Sequence, residues 1–273
     1  MATLNLPFRH AKFMRALGLG LLAFWGAVSA IHAQDSSAKE AAKSTDKGTD
    51  PTVVSYQAYG KYEYMDLNQG LSSGTLRLGY IMPIGEHDNY SLRFELPVMK
   101  VDGLGGNARH DLGDAAIRLG HVFGLTRTHG WVAQAEAIFD TASRPELGRG
   151  KNILKGTLIY ARFLKDGGIF APAWVQSVSV SGQAQRSKVN STTVDFYYVP
   201  KLADSQNLLT YDPAINYDWE NKSSFVSLAI TAGRVIGQAF GGNAIVFVKP
   251  TLFAGGARPG NWGLELGYKV VGF

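Results

Sequence analysis

A chain of 273 residues can fill one large domain or two small ones, and its lack of cysteine removes disulfide frameworks, thiolate metal sites and lipid attachment through a cysteine. Its 27 Lys and Arg against 22 Asp and Glu give a formal charge of +5, but three of the bases, Arg9, Lys12 and Arg15, lie in an N-terminal segment expected to be removed. The 24 basic and 22 acidic residues that remain are too evenly balanced to suggest nucleic acid as a partner.

Residues 1–33 have the form of a secretory signal peptide. Those three bases precede an uncharged apolar stretch from Ala16 to Val28, and the small-residue sites Val28-Ser29-Ala30 and Ile31-His32-Ala33 follow. Cleavage is expected after Ala33, with Ala30 second. An uncleaved anchor helix is the competing reading, although the apolar stretch is shorter than the roughly 20 residues a bilayer span needs. Export without disulfides fits a Gram-negative periplasm or outer membrane. Residues 34–52, QDSSAKEAAKSTDKGTDPT, are small, polar and charged without an apolar period, and read as a disordered or weakly helical lead-in that could also enter a lumen as a plug.

From Val53 onward no uncharged run approaches the length of a membrane helix, yet alternating apolar residues, tyrosine and glycine recur to the end. Twelve strand candidates follow: Val53 to Met65, Ser73 to Pro83, Tyr90 to Met99, Leu112 to Phe123, Gly130 to Phe139, Asn152 to Leu164, Gly168 to Ser181, Thr193 to Leu202, Leu208 to Tyr217, Ser224 to Val235, Ala244 to Phe253 and Asn261 to Phe273. Connections after even-numbered candidates are mostly compact, such as GEHDN, TRTH and KDG. Those after odd ones include KVDGLGGNARH, DTASRPELGRGK and GQAQRSKVNST. An even strand number with short turns at one end and longer loops at the other predicts an all-β fold, a transmembrane antiparallel β-barrel over residues 53–273 with periplasmic termini.

The pleat assigns the faces. In TLRLGYI, Leu76, Leu78 and Tyr80 oppose Arg77; in YSLRFELP, Leu92, Phe94 and Leu96 oppose Arg93 and Glu95. In NWGLELGYKVVGF the apolar set is even-numbered whereas Phe273 is odd, so a slip or bulge near Val270 and Val271 is expected if the final aromatic is to face lipid. A soluble periplasmic β-sandwich is the competing fold, since one buried face also produces alternation. It accounts less well for Tyr56, Tyr59, Tyr62, Tyr64, Trp131, Trp174, Tyr211, Tyr217, Trp219 and Trp262 near strand ends, which fit interfacial belts.

The stretches RFELPV, HDLGDAAIRLGHVF, GRGKNILKGTLIYARFLKDGGIFAPAWVQSVSVSG, LLTYDPAINYDWENKSSFVSLAITAGRVIG and GNWGLELGYKVVGF, in this order, resemble the outer-membrane proteins of the meta-pathway of phenol degradation family. The likeness spans about Tyr90 to Phe273. Leu112-Gly113-Asp114 stands where that family tends to have Gly-Leu-Gly-Asp. The resemblance implies a barrel associated with uptake of aromatic or other hydrophobic small molecules.

Charges at membrane depth are tolerable only inside a barrel, so the lumen is expected to receive Arg77, Arg93, Glu95, Asp114, Arg118, Glu136, Lys155, Asp195, Lys249, Glu265 and Lys269. These residues either line a selective pore or form a ladder of ion pairs that holds the barrel. Arg109, Arg144, Arg149, Lys151, Arg186 and Lys188 fall in the longer loops, where they could meet anionic lipopolysaccharide, steer solutes or simply be solvated. The histidines at 87, 110, 121 and 129 match no nucleophile or zinc pattern, and DGLGGN lacks the strand-to-helix setting of a nucleotide fingerprint.

The sequence therefore predicts a monomeric outer-membrane channel for small-molecule solutes, not an enzyme, with no cofactor or metal. Its expected partners are outer-membrane lipid, lipopolysaccharide and the barrel-assembly machinery, the last engaged through the strand ending at Phe273. A plugged structural or adhesive barrel and a lipid-modifying hydrolase are the alternatives.

Overall fold

The computed structural model describes residues 46–85, 89–104, 108–256 and 258–273. The expected signal peptide, the lead-in as far as residue 45 and His87 lie outside the described residues. Thirteen strand segments follow in order: β1 Gln57–Leu67, β2 Ser72–Ile84, β3 Tyr90–Asp102, β4 Asp111–Leu112, β5 Ala116–Phe123, β6 His129–Ile138, β7 Lys151–Phe163, β8 Ile169–Gly182, β9 Asn190–Val199, β10 Asn207–Asp218, β11 Ser223–Ala239, β12 Gly242–Gly255 and β13 Gly260–Val271. β4 and β5 both pair with β3 and share one position, interrupted at 113–115, so the barrel has twelve antiparallel positions. Each of the twelve expected strands is found, with ends displaced by a few residues.

Closure follows from the pairings. β1 pairs with β2 on one side and β13 on the other, with Gln57 opposite both Ile81 and Val271. β2 continues to β3, and the remaining strands pair in sequence round to β13. A closed sheet has no unpaired edge, which separates this fold from the sandwich alternative.

The alternation read from the sequence becomes two surfaces. Leu78, Phe94, Leu119, Leu158, Trp174, Ile215, Leu228, Leu252 and Leu266 all point outward and are exposed. Arg77, Arg93, Arg118, Glu136 and Lys155 take the opposite parity. Arg93 stands opposite Arg118, Arg118 opposite Glu136, and Glu136 opposite Lys155, so the register keeps these polar side chains on the inner face strand after strand.

Connections at one end, here the terminal rim, are short, and the tightest joins β11 to β12 through Phe240 and Gly241. Both have positive φ, 52° and 85°, as a two-residue turn matched to strand twist requires. The opposite end, the loop rim, carries the longer connections after β3, β6 and β8.

Aromatic side chains collect near both rims on the outer face. Near the loop rim Tyr64 packs on Trp262 at 5.3 Å and Tyr217 on Trp219 at 4.6 Å. Near the terminal rim Trp131 packs on Tyr160 at 4.8 Å, and His121 stacks between Tyr90 at 4.1 Å and Phe123 at 5.5 Å. Tyr59 departs from the expected belt, because its odd parity sends it into the lumen.

The parity problem at Phe273 is resolved differently from the expected slip. Val270 and Val271 stay in register with Ala58 and Gln57, so no bulge occurs there. Gly272 instead adopts φ 77° and donates its N–H to the Tyr56 carbonyl at 2.8 Å. This left-handed residue reverses the chain's parity, and the Phe273 ring lies 6.0 Å from Tyr56 and 6.3 Å from Tyr80.

Candidate functional site: the lumen

Three layers fill the barrel interior. The middle one is a girdle of charges contributed by mid-strand residues. Lys61 pairs with Glu265 at 3.0 Å, and Arg77 pairs with Glu63 at 3.4 Å and Glu95 at 3.7 Å. Arg93 bridges Glu95 and Glu136, and Lys155 reaches Glu136 at 3.4 Å. The Tyr59 hydroxyl donates to Glu95 at 2.6 Å, and the phenol end of its ring lies against Gly79, where any β-carbon would stand 2.0 Å from it. Burying this many charges is possible because nearly every one has a partner of opposite sign.

The far wall is different. Asp195 on β9 and Asp212 on β10 lie side by side, with Lys249 4.0 Å from Asp212. One Asp195 carboxylate oxygen is buried without a hydrogen-bond partner among the described residues. Above and below Lys249, β12 turns Phe253 and Phe247 into the lumen, and Phe253 meets Phe225 of β11 at 6.3 Å.

Toward the loop rim, the connection 139–150 folds onto the lumen side of β3. Its short 3-10 turn, Pro145–Leu147, buries Leu147 to 2% exposure, beside Gly113, Met99 and Pro97. Asp114 organises this loop and does not stand free in the pore. Its carboxylate accepts hydrogen bonds from the backbone N–H groups of Thr141, Ala142 and Arg149 at 3.2, 3.1 and 2.7 Å. Arg186, from the connection after β8, donates to the carbonyls of Pro145 and Gly148. Arg144 is held by Glu146 and Asp111, and Lys151 by the Gln183 carbonyl. Of the six basic residues expected in the longer loops, Arg109, Arg149 and Lys188 are exposed.

At the terminal rim the lumen narrows to an apolar layer. Val122, Val132, Ala161, Ala171, Leu208, Ile245 and Val271 share the inward parity, and all are buried. Residues 46–52 lie across this mouth. The Asp46 carbonyl accepts from Asn243 at 2.8 Å, Lys47 donates to the Asn207 carbonyl at 2.8 Å, and Lys269 donates to the Gly48 carbonyl at 3.3 Å. Tyr197 donates to the Thr49 carbonyl at 3.0 Å, and Thr52, buried, reaches Gly130 of β6 on the opposite wall. Burial lowers the Lys47 pKa, with Asp204 acting in the opposite sense. The last seven residues of the expected lead-in are therefore fixed as a strap, and Lys269 serves as one of its anchors.

The structure thus places Arg77, Arg93, Glu95, Arg118, Glu136, Lys155 and Glu265 in one girdle, and Asp195 and Lys249 on the far wall. Sequence reasoning missed Tyr59, Lys61, Glu63 and Asp212. Lys61 and Glu63 were legible, since both alternate with Tyr62 and Tyr64. Asp212 was not, because LLTYDPAINYD carries apolar residues on both parities. Among the described residues no cluster of three or more His, Asp or Glu is arranged to hold a metal ion.

No family model matches the chain, and no curated protein matches it. Solved structures do. The chain is similar to a KdgM porin with a TM-score of 0.55 at 10% identity, covering 78% of this chain and 98% of that one. It is also similar to a NanC porin with a TM-score of 0.54 at 10% identity, covering 80% and 98%. The β domain of the Bordetella autotransporter BrkA follows with a TM-score of 0.48 at 11% identity, covering 79% and 98%. At these identities the likeness concerns the fold: this chain is a closed twelve-position antiparallel barrel of the kind seen in outer-membrane porins.

Proposed function

We propose that the protein is an outer-membrane channel for small molecules, working by passive diffusion through the charged lumen, with the strap 46–52 narrowing its terminal mouth. The observation that carries this reading is the inversion of polarity: apolar side chains cover the outside of a closed sheet while charges of both signs occupy its interior. Only a bilayer rewards such an exterior, and charged residues inside a barrel bias which solutes pass. The outer aromatic pairs near both rims fit the interfacial belts of such a membrane, and export by a cleaved signal peptide fits this location. Arg109, Arg149 and Lys188, exposed in the longer loops, are placed to meet lipopolysaccharide.

Aromatic or hydrophobic compounds are the proposed solutes. The inward-facing Phe225, Phe253 and Phe247 support this, together with the sequence resemblance. A second reading, a plugged barrel acting through its outer loops, is favoured by the strap and the apolar layer beneath it.

Conductance in planar bilayers separates the two. Steady unit currents from the full chain, larger after deletion of residues 46–52, are expected of a narrowed channel. Silence from both forms would establish the plugged barrel.

A further inference from the structure

Among the described residues, one cation in the girdle has no counter-charge. Arg118 is half-buried on the lumen face of β5, between Arg93 on β3 and Glu136 on β6 in direct register. It lies within electrostatic reach of Arg93, Glu136, Glu95 and Tyr59. Every carboxylate near it is already engaged. Glu136 takes Arg93 and Lys155, and Glu95 takes Arg77, Arg93 and the Tyr59 hydroxyl. Glu63 takes Arg77, and Glu265 takes Lys61. Among the described residues Arg118 forms no ion pair and donates no hydrogen bond, and its guanidinium nitrogens are not among the sealed, unpartnered polar atoms. The donors therefore remain accessible from the lumen.

We infer that Arg118 is the anion-recognition residue of the lumen, receiving the carboxylate of a small organic acid. A half-buried guanidinium without a partner is costly to keep, and a planar fork of donors is matched by a carboxylate, which accepts two parallel N–H bonds. The girdle imposes the position: Arg93 reaches past β5 to Glu136, so the only neighbouring carboxylate that directly opposes Arg118 is turned toward other cations. Across the lumen, Asp195 and Asp212 share the single cation Lys249. The girdle cation left without a counter-charge thus stands on the Arg118 wall, and anions are drawn to that side.

This inference rests on the channel reading, and the test separates the two. The full chain is reconstituted in planar bilayers under a potassium chloride gradient, and the reversal potential and the interruption of current by added sodium benzoate are measured. Removal of one uncompensated charge from the wall of a narrow pore should lower the chloride-to-potassium permeability ratio about fivefold in Arg118→Gln and abolish benzoate block. Arg118→Lys, which keeps the charge without the fork, should retain the ratio and lose most of the block. Arg234→Gln, on the outer face and paired with Asp204, should change neither. Normal unit currents in Arg118→Gln with unchanged ratio and block would overturn the inference and leave the channel standing. Absence of current from the full chain and from the strap deletion would overturn both.

Discussion

Replacing Glu136 by Gln should destabilise the barrel more than any other single change in the girdle. Glu136 is 6% exposed and is the carboxylate that both Arg93 and Lys155 engage, with Arg118 directly opposite in register. At 3.4 Å and an effective dielectric of about 20, its attraction to Lys155 alone is about 5 kcal/mol before the desolvation of both groups is subtracted. Lys155 is partly solvated, which weakens that contact, whereas the closer Arg93 contact is more enclosed. Breaking a buried pair on one side costs about 3–5 kcal/mol, and we expect about 3 kcal/mol here, because lumen water can reach the abandoned cations. Three cations would then share one stretch of wall. Arg93→Gln should cost less, about 1–2 kcal/mol, since Glu136 keeps Lys155 and Arg118 can approach it. The double variant should fall short of the sum by at least about 1 kcal/mol. Urea unfolding in lipid vesicles, followed by tryptophan fluorescence, measures all three. A loss below about 1 kcal/mol for Glu136→Gln, or strict additivity, would refute the view that the girdle holds the barrel together.

Three further outcomes follow from particular contacts. Gly79→Val should displace the Tyr59 ring and break its bond to Glu95, at a cost of about 2–3 kcal/mol; a Gly79→Val/Tyr59→Ala double variant no less stable than Tyr59→Ala alone would show that the clash is the cause. Asp114→Ala removes the acceptor for three backbone donors, so the loop 139–150 should become sensitive to protease in intact cells while the barrel keeps its heat-modifiable mobility on gels; unchanged resistance would contradict the organising role. Gly272→Val places a β-branched residue at φ 77° and should cost about 1–2 kcal/mol with loss of Phe273 packing, measured by the same urea titration, whereas no shift would mean that the parity reversal does not depend on glycine.

Much of this architecture was readable from local pattern. Side-chain direction in a strand has period two, so Leu76-Arg77-Leu78 or Phe94-Glu95-Leu96 declares its two faces without knowledge of the neighbours. Counting such segments yields the strand number, and the turn and loop lengths yield the two ends. The pattern failed where local geometry breaks the period. Asp114 sits in the interruption between β4 and β5 and is drawn into a loop, and Gly272 flips the parity of Phe273 by a single left-handed residue.

The sequence by itself determined the all-β class, the approximate strand positions and the charged parity, because each is a property of consecutive residues, whereas closure came from the pairing of β1 with β13. Which charges meet was decided only by the tertiary structure. Arg93 and Glu136 are 43 residues apart, and the register of intervening β5 brings them together. The strap is the clearer case. Residues 46–52 carry no pattern of their own and become ordered because Tyr197, Asn207, Asn243 and Lys269, far away in the chain, present donors and an acceptor at one rim. The unpaired state of Arg118 is likewise invisible in sequence, since it depends on how every neighbouring carboxylate is already engaged.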